Sequence, residues 1–478
     1  MLRLQARCVV LLSNVRLGDS LVDIRITDGV ISEIGHLAGD GTDAGGRWVV
    51  PGLWDNHVHF SQWSLGRQRL DLAAAASAAH AAALVKRNLR ADSPVPFIGS
   101  GFRDGLWPDA PNLSDLDEAA ASHPVVLVSA DLHSVWLNTV ALDLYGHPGH
   151  PTGLLREDDA FAVTTSIAQV PDAELDRFAL DASAAAAARG VVGFVDLEMA
   201  WNWNTWKRRQ SGGNHYQHVE IGVYRQHLDR AIDAGLRTGL SGGELLEVGS
   251  LKLVTDGSLN TRTAYCFDPY PGTDGRGMLT IAPDELRSLL RQAVEAGFEV
   301  AVHAIGDEAN SLALDAFAAT GARGTVEHAQ LLAETDIARF ASLDVVASVQ
   351  PEHAMDDRDV AEHYWHGRTR RAFVLRSLLE AGAQLALGSD APVAPLDPWV
   401  SIAAAVGRAR DGREAWHPEQ SISFAQALEA STRSTISVGQ PADLVLTDID
   451  PFTASPQELR EMPVAATLLA GRFTHNAL

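Results

Sequence analysis

A chain of 478 residues, 46% hydrophobic and 21% charged, has ordinary globular composition and is too long for one small core. Its formal net charge of -23 argues against nucleic acid and anionic membranes as partners. With only Cys8 and Cys266 there is no disulfide framework and no cysteine metal site, and no stretch approaches the roughly 18 uninterrupted apolar residues of a membrane span. The N-terminal apolar run has no small-residue cleavage pattern after it, so the expected location is the cytoplasm.

Residues 1–50 read as short strands. "VRLGDSLVDIRITDGVISEIG" alternates apolar and polar residues and breaks at Gly18-Asp19 and Asp28-Gly29, which are hairpin signals. Residues 437–478 have the same texture in "GQPADLVLTDID" and "AATLLAGRFTHN". The expectation is a small β-sandwich built from both ends, flanking a larger domain over 51–436.

That domain opens with "PGLWDNHVHF", residues 51–60. Side chains alternate faces along a strand, so His57 and His59 point to one spot after a buried strand. From about 64 to 170 simple β–α repetition fails. An Ala-rich helix, "LDLAAAASAAHAAALVKRNLR", and a strand, "HPVVLVSA", are joined by loops rich in Trp, Pro and Asp. This reads as an insertion after the first strand, placed where it could cover a barrel mouth; His80 within it reads as structural.

Beyond it, apolar runs alternate with helical patterns. "RGVVGFVDLEM", "GSLKLVTDGS", "GFEVAVHAIGD", "GTVEHAQ", "LDVVASVQP" and "GAQLALGSDAP" are strand-like, while "DELRSLLRQAVEAG", "ANSLALDAFAATG" and "RRAFVLRSLLEAG" are helical and end at Gly. Units of this size and number predict an α/β chain with a (β/α)₈ TIM barrel.

Active sites of such barrels form at the C-terminal strand ends. His57, His59, Lys252, His303, His328 and Asp390 all stand there. Imidazole and carboxylate suit Zn²⁺ or a similar divalent ion, whose bound water has a pKa lowered to roughly 7. Two ions about 3.5–4 Å apart need a bridging anion. A buried lysine with a depressed pKa could react with CO₂ to give an anionic carbamate, and Asp390 could hold one ion and accept a proton from water. Each residue alone has an ordinary structural reading; together the ligand reading prevails. Lys252 has a rival as bridge, since Glu198 in "VVGFVDLEM" also follows a strand.

The sequence resembles the amidohydrolase superfamily, metal-dependent hydrolases on a (β/α)₈ barrel, and within it the branch that includes N-substituted formamide deformylases. The matching stretches run nearly end to end: "VVPGLWDNHVHF", "DLHSVWLNTVAL", "PTGLLRE", "VGSLKLVTDGSLNTRTA", "VAVHAIGD", "VEHAQ", "SVQPEHAMDD", "LALGSDAPVAPLDP" and "GQPADLVLTD". The resemblance implies His57, His59 and Asp390 on one metal, His303 and His328 on another, and Lys252, carboxylated by CO₂, as the bridge. Departures are Leu132 where the family usually has Gly, a short stretch before "GQPADLV", and an unusual "WNWNTWKRRQSGGNHYQH". Barrels of this kind often self-associate, so a homo-oligomer is an open expectation.

If the insertion caps the mouth, His133 could polarise a substrate carbonyl, with Trp136 and Asn138 beside it; equally, Trp136 packs and His133 bonds a loop carbonyl. Arg262 could clamp a substrate carboxylate, or Asp256 and Arg262 pair and order their loop, which is the favoured reading. Trp201, Trp203 and Trp206 form either an apolar wall or local packing. His353, His363 and His366 could contact substrate, with surface histidines on a mobile loop the favoured reading. The expected reaction is hydrolysis of a non-peptide carbon–nitrogen bond of a small molecule, an N-substituted formamide being one case. A cyclic-amide hydrolase would have the same metal site. A mononuclear deaminase of this superfamily would carry Glu three residues after the fifth-strand histidine, where this chain has Gly306. A catalytically silent metal-binding or regulatory homologue is the alternative of another class.

Overall fold

The computed structural model describes residues 9–102, 104, 107–120, 122–129, 134–156, 158–167, 169–259 and 262–478. The chain divides into two compact units: one runs up to Trp63 and resumes at Leu180, and the other is Ser64–Ala179.

The larger unit is built on eight parallel strands: β1 (Leu53–Val58), β2 (Val191–Asp196), β3 (His218–Tyr224), β4 (Leu246–Val254), β5 (Val300–Ala304), β6 (Gly324–His328), β7 (Val345–Val349) and β8 (Leu385–Leu387), each paired with the next. The ring closes between β8 and β1. Asn56 Nδ2 donates to the Leu387 carbonyl at 2.9 Å, the Asp390 N–H to the His57 carbonyl at 2.7 Å, and the His59 N–H to the Ala391 carbonyl at 2.8 Å. The strands are rich in Val, Ile, Leu and Ala and buried almost throughout, as parallel strands covered on both faces require.

Helices follow the strands. The one at Pro283–Ala296 shows why it begins and ends where it does. Pro283 fills the first turn, Asp284 and Glu285 face its positive end, and Gly297 closes it with a left-handed φ of 78°.

Both chain ends join one sheet. Val9–Leu17, Ser20–Thr27 and Val30–Gly35 form an antiparallel meander whose second turn, Asp28-Gly29, has positive φ at both residues, the hairpin geometry expected of that pair. Trp48–Pro51 then pairs with Leu444–Thr447, followed by Val464–Leu469 and Arg472–Asn476. Leu12, Ile24 and Ile26 share one core with Leu444 and Leu468, so the two termini are buried against each other.

The second unit holds more than the one strand read from sequence. Five strands form its sheet in the order Leu154–Arg156, Ser134–Leu137, Val125–Ser129, Phe97–Phe102, Leu70–Asp71. All five residues of Val125–Ser129 are buried, and a hydrophobic cluster lies on each face. The Ala-rich helix starts only at Ala78, where Ser77 caps it by accepting the His80 N–H. No helix of the described residues is long and apolar enough to cross a membrane.

Candidate metal centre

The barrel brings together side chains from five of its strands or the turns that follow them. His57 stands near the end of β1, with His59 just beyond it. Lys252 lies on β4, His303 on β5, His328 at the end of β6, and Asp390 in the turn after β8. The His57 ring lies 5.7 Å from that of His59 and 5.1 Å from that of His328, and the His303 and His328 rings are 4.5 Å apart. Asp390 Oδ1 is 3.4 Å from His57 Nε2 and 3.2 Å from His59 Nε2. Ligand atoms of His57, His328 and Asp390 all lie within 4.8 Å of one another, a set able to hold a metal ion.

Backbone geometry aims two of these residues. His328 has φ 73° and Asp390 φ 55°, the left-handed region that non-glycine residues visit sparingly and that gathers at functional sites. At the end of β6 the consecutive residues Glu327 and His328 are both buried and both face the His57 ring.

Glu327 supports the centre from behind. His57 Nδ1 donates to Glu327 Oε2 at 2.6 Å, which leaves Nε2 free toward Asp390. The Ser348 hydroxyl donates to the same oxygen at 2.6 Å and the Thr325 hydroxyl to the other. Burial would raise the Glu327 carboxyl, but Lys252, His57 and these donors hold it at about 2. Asp55 pins β1 to the last turn: its Oδ1 accepts the His57 N–H at 3.2 Å and the Ser389 N–H at 2.9 Å, while burial pushes it up to about 7.

Electrostatics prepare a ligand-competent state. Burial pulls the Lys252 ammonium below its ordinary range, against the attraction of Glu327 and Asp390. Burial likewise holds His328 well below the usual imidazole range. Burial opposes ionisation of Asp390, yet His57 and the hydrogen bond from His59 outweigh it and keep that carboxyl well below normal. The result is neutral imidazole at His328 and an anionic aspartate.

The donor set also fits a metal by what it leaves unpaired. Lys252 is 2% exposed and its Nζ has no hydrogen-bond partner. Nδ1 of His59 and His328 and Nε2 of His353 are buried without hydrogen-bond partners as well, while Nε2 of His303 lies 3.4 Å from Asp256 Oδ1. Buried polar atoms are normally bonded, so four orphans in one cluster fit a site for a cation.

His353 belongs to this cluster, against the reading of it as a surface residue. As the first residue of the helix His353–Tyr364 it is buried, lies nearly parallel to the His328 ring at 6.2 Å, and has Nε2 4.0 Å from Asp390 Oδ2. His363 and His366 are exposed.

Other expected contacts lie elsewhere. Both Glu198 oxygens are engaged by Gln62, through Nε2 at 3.0 Å and the backbone N–H at 3.1 Å, although the charge of Glu198 is felt at His59. Asp256 does not pair with Arg262; it accepts the backbone N–H groups of Tyr265, Ile305 and Gly306. Arg262 is exposed, its guanidinium 5.5 Å from the centroid of the Tyr364 ring. Trp136 is fully buried in its own unit and donates to the Asn112 carbonyl, which leaves it no surface for a substrate. Asn138 caps the helix Thr139–Leu144 and bonds the His123 carbonyl. Trp206 is buried against Phe60 and Phe194 and donates to Asp196, Trp203 packs under Lys207, and Trp201 under Arg230, so these rings pack locally. His133 lies outside the described residues.

A parallel barrel with such a cluster at the ends of its strands has the build of a metal-dependent hydrolase. The chain belongs to the amidohydrolase family, whose model matches residues 40–475. It is 31% identical to the protein LONG AFTER FAR-RED 3 of Arabidopsis thaliana, over 96% of this chain and 89% of that one. It is 24% identical to an N-substituted formamide deformylase of Arthrobacter pascens, over 90% and 88%. The fold matches the crystal structure of an uncharacterized metal-dependent hydrolase from Pyrococcus horikoshii OT3 with a TM-score of 0.80, over 94% of this chain and 99% of that one at 24% identity.

Proposed function

We propose that this protein hydrolyses a non-peptide carbon–nitrogen bond of a small molecule, an amide of the N-substituted formamide kind. The observation that carries the reading is the convergence of four strand-end histidines and Asp390 around the unpartnered amine of Lys252. His57, His59 and Asp390 would hold one divalent ion, zinc by donor type, and His303 and His328 a second. When bound, such ions acidify water and polarise a carbonyl.

The chain's own groups do the rest. Burial lowers the Lys252 ammonium and so favours its neutral amine, which would add to CO₂ with its proton passing to solvent; the resulting carbamate would supply an anion to the two sites. Asp390, ionised at neutral pH, takes a proton from water as the carbonyl carbon is attacked, then returns it to the departing nitrogen. Glu327 keeps the His57 ring in one tautomer throughout. Deamination fits less well. A Cβ at Gly306 would lie 2.1 Å from the Tyr265 carbonyl oxygen, so the acid a deaminase needs there has no room.

The test is turnover by metal-loaded protein of a panel of N-alkyl and N-aryl formamides, other amides, lactams and esters. Formamide hydrolysis is expected, and Asp390→Asn should keep its metal while losing about 10²–10⁴-fold in rate. Bound metal with no hydrolysis of any member would instead favour a silent homologue, a reading in keeping with the plant relative, whose name denotes no reaction.

A further inference from the structure

The inserted unit contains a cavity of about 240 Å³ that the hydrolytic reading does not use. Among the described residues its lining includes Leu65 and Arg69, Ile98 of the strand Phe97–Phe102, Tyr145 at the end of the helix Thr139–Leu144, Ile167 at the end of the next helix, and Phe178. Leu65, Ile98, Ile167 and Phe178 are apolar, while Gln68, Ser166, Gln169 and Glu174 add polar groups to the lining.

Arg69 is the one cation of the described lining. No described residue ion-pairs with or hydrogen-bonds to its guanidinium, and Nε is buried without a partner. Burial draws it below the ordinary arginine range. The chain has 61 acidic residues against 38 basic ones, so carboxylates are not scarce. The carboxylate that does line the cavity, Glu174, faces Arg177 at 4.0 Å instead. Partly desolvating a cation without a partner is unfavourable unless a ligand completes it. Arginine's planar fork matches a carboxylate with two parallel hydrogen bonds.

We propose that this cavity binds a small carboxylic acid with an apolar body, its carboxylate on the Arg69 guanidinium and its ring or branched chain among Leu65, Ile98, Ile167 and Phe178. One cation in the described lining suits a monoanion. The volume falls just under the roughly 300 Å³ at which pockets for drug-sized ligands begin, so the body is one ring or a short branched chain. The proposal stands apart from the metal centre and does not depend on the reaction performed there.

The probe is sodium phenylacetate, with 2-phenylethanol as its uncharged counterpart, titrated calorimetrically into the full-length, metal-loaded protein and followed by thermal unfolding. Phenylacetate should occupy a saturable site and raise the melting temperature, and phenylethanol should bind about tenfold more weakly or worse. Arg69→Met should lose that site yet melt no lower than the parent, because it removes an unpartnered cation. Ile98→Trp, which fills the cavity and leaves the charge, should lose the site too. Equal binding of phenylacetate by parent and Arg69→Met, or no binding by either, would overturn the proposal. So would an Arg69→Met protein that melts well below the parent, since Arg69 would then be structural.

Discussion

Replacing Glu327 with Gln removes one negative charge and turns one acceptor into a donor behind the His57 ring. His57 Nδ1 and Ser348 Oγ each donate to Oε2 at 2.6 Å, and Thr325 Oγ1 donates to Oε1. A glutamine amide has a single oxygen: facing His57 and Ser348 it still accepts from them, now without a charge, while its NH₂ donates to the Thr325 hydroxyl. Hydrogen bonds to a charged group contribute about 1.5–3 kcal/mol and neutral ones about 0.5–1.5, so the exchange weakens the support of His57 by about 1–2 kcal/mol. That is roughly tenfold in metal affinity, within the 10–100-fold range for losing the outer partner of a ligating histidine. The carboxyl sits at about 2, hence it is ionised across neutral pH and the deficit should not change between pH 6 and 8. Competition for zinc against a chromophoric chelator measures it, with thermal unfolding run alongside. An affinity within twofold of the parent, in a variant that is still folded, would refute the reasoning.

Lys252→Ala should fold, because the amine it removes has no partner, but should hold fewer metal ions per chain, partly restored by added short carboxylic acids. Undiminished metal by elemental analysis would remove Lys252 from the centre. His353→Gln should lower turnover by about tenfold or more with metal content intact, while His363→Gln, at an exposed position, should match the parent in steady-state assays. Trp136→Ala should cost about 3–5 kcal/mol in denaturant unfolding, the penalty for emptying a packed indole site. A raised KM with unchanged stability would return Trp136 to the substrate.

The barrel was legible because seven of its strands read as apolar runs and some helices close on a glycine, as at Gly297 and Gly321, whereas His218–Tyr224, with polar residues interleaved, was not read as a strand. The clustering of the candidate ligands was legible because several polar residues, His303 and Asp390 among them, stand at the ends of successive apolar runs, which no single ordinary core role explains. Glu327 escaped notice for a geometric reason. The alternation rule lets only one of two consecutive residues face inward, whereas Glu327 and His328 both face the His57 ring. His353 was missed because its "HAMDD" context reads as solvated, whereas the helix it opens buries its first three residues. In the inserted unit, residue type misled. Trp136 and Asn138 look like binding groups in a motif, but one fills a core whose other members lie far along the chain and the other caps the helix that follows it.

The most direct test of the account is elemental analysis of the purified protein, supplied with zinc and dialysed, beside His57→Ala and His328→Ala. The account predicts two divalent ions per chain in the parent and a clear loss in both variants. A parent that retains no transition metal, or variants that retain as much as the parent, would contradict it.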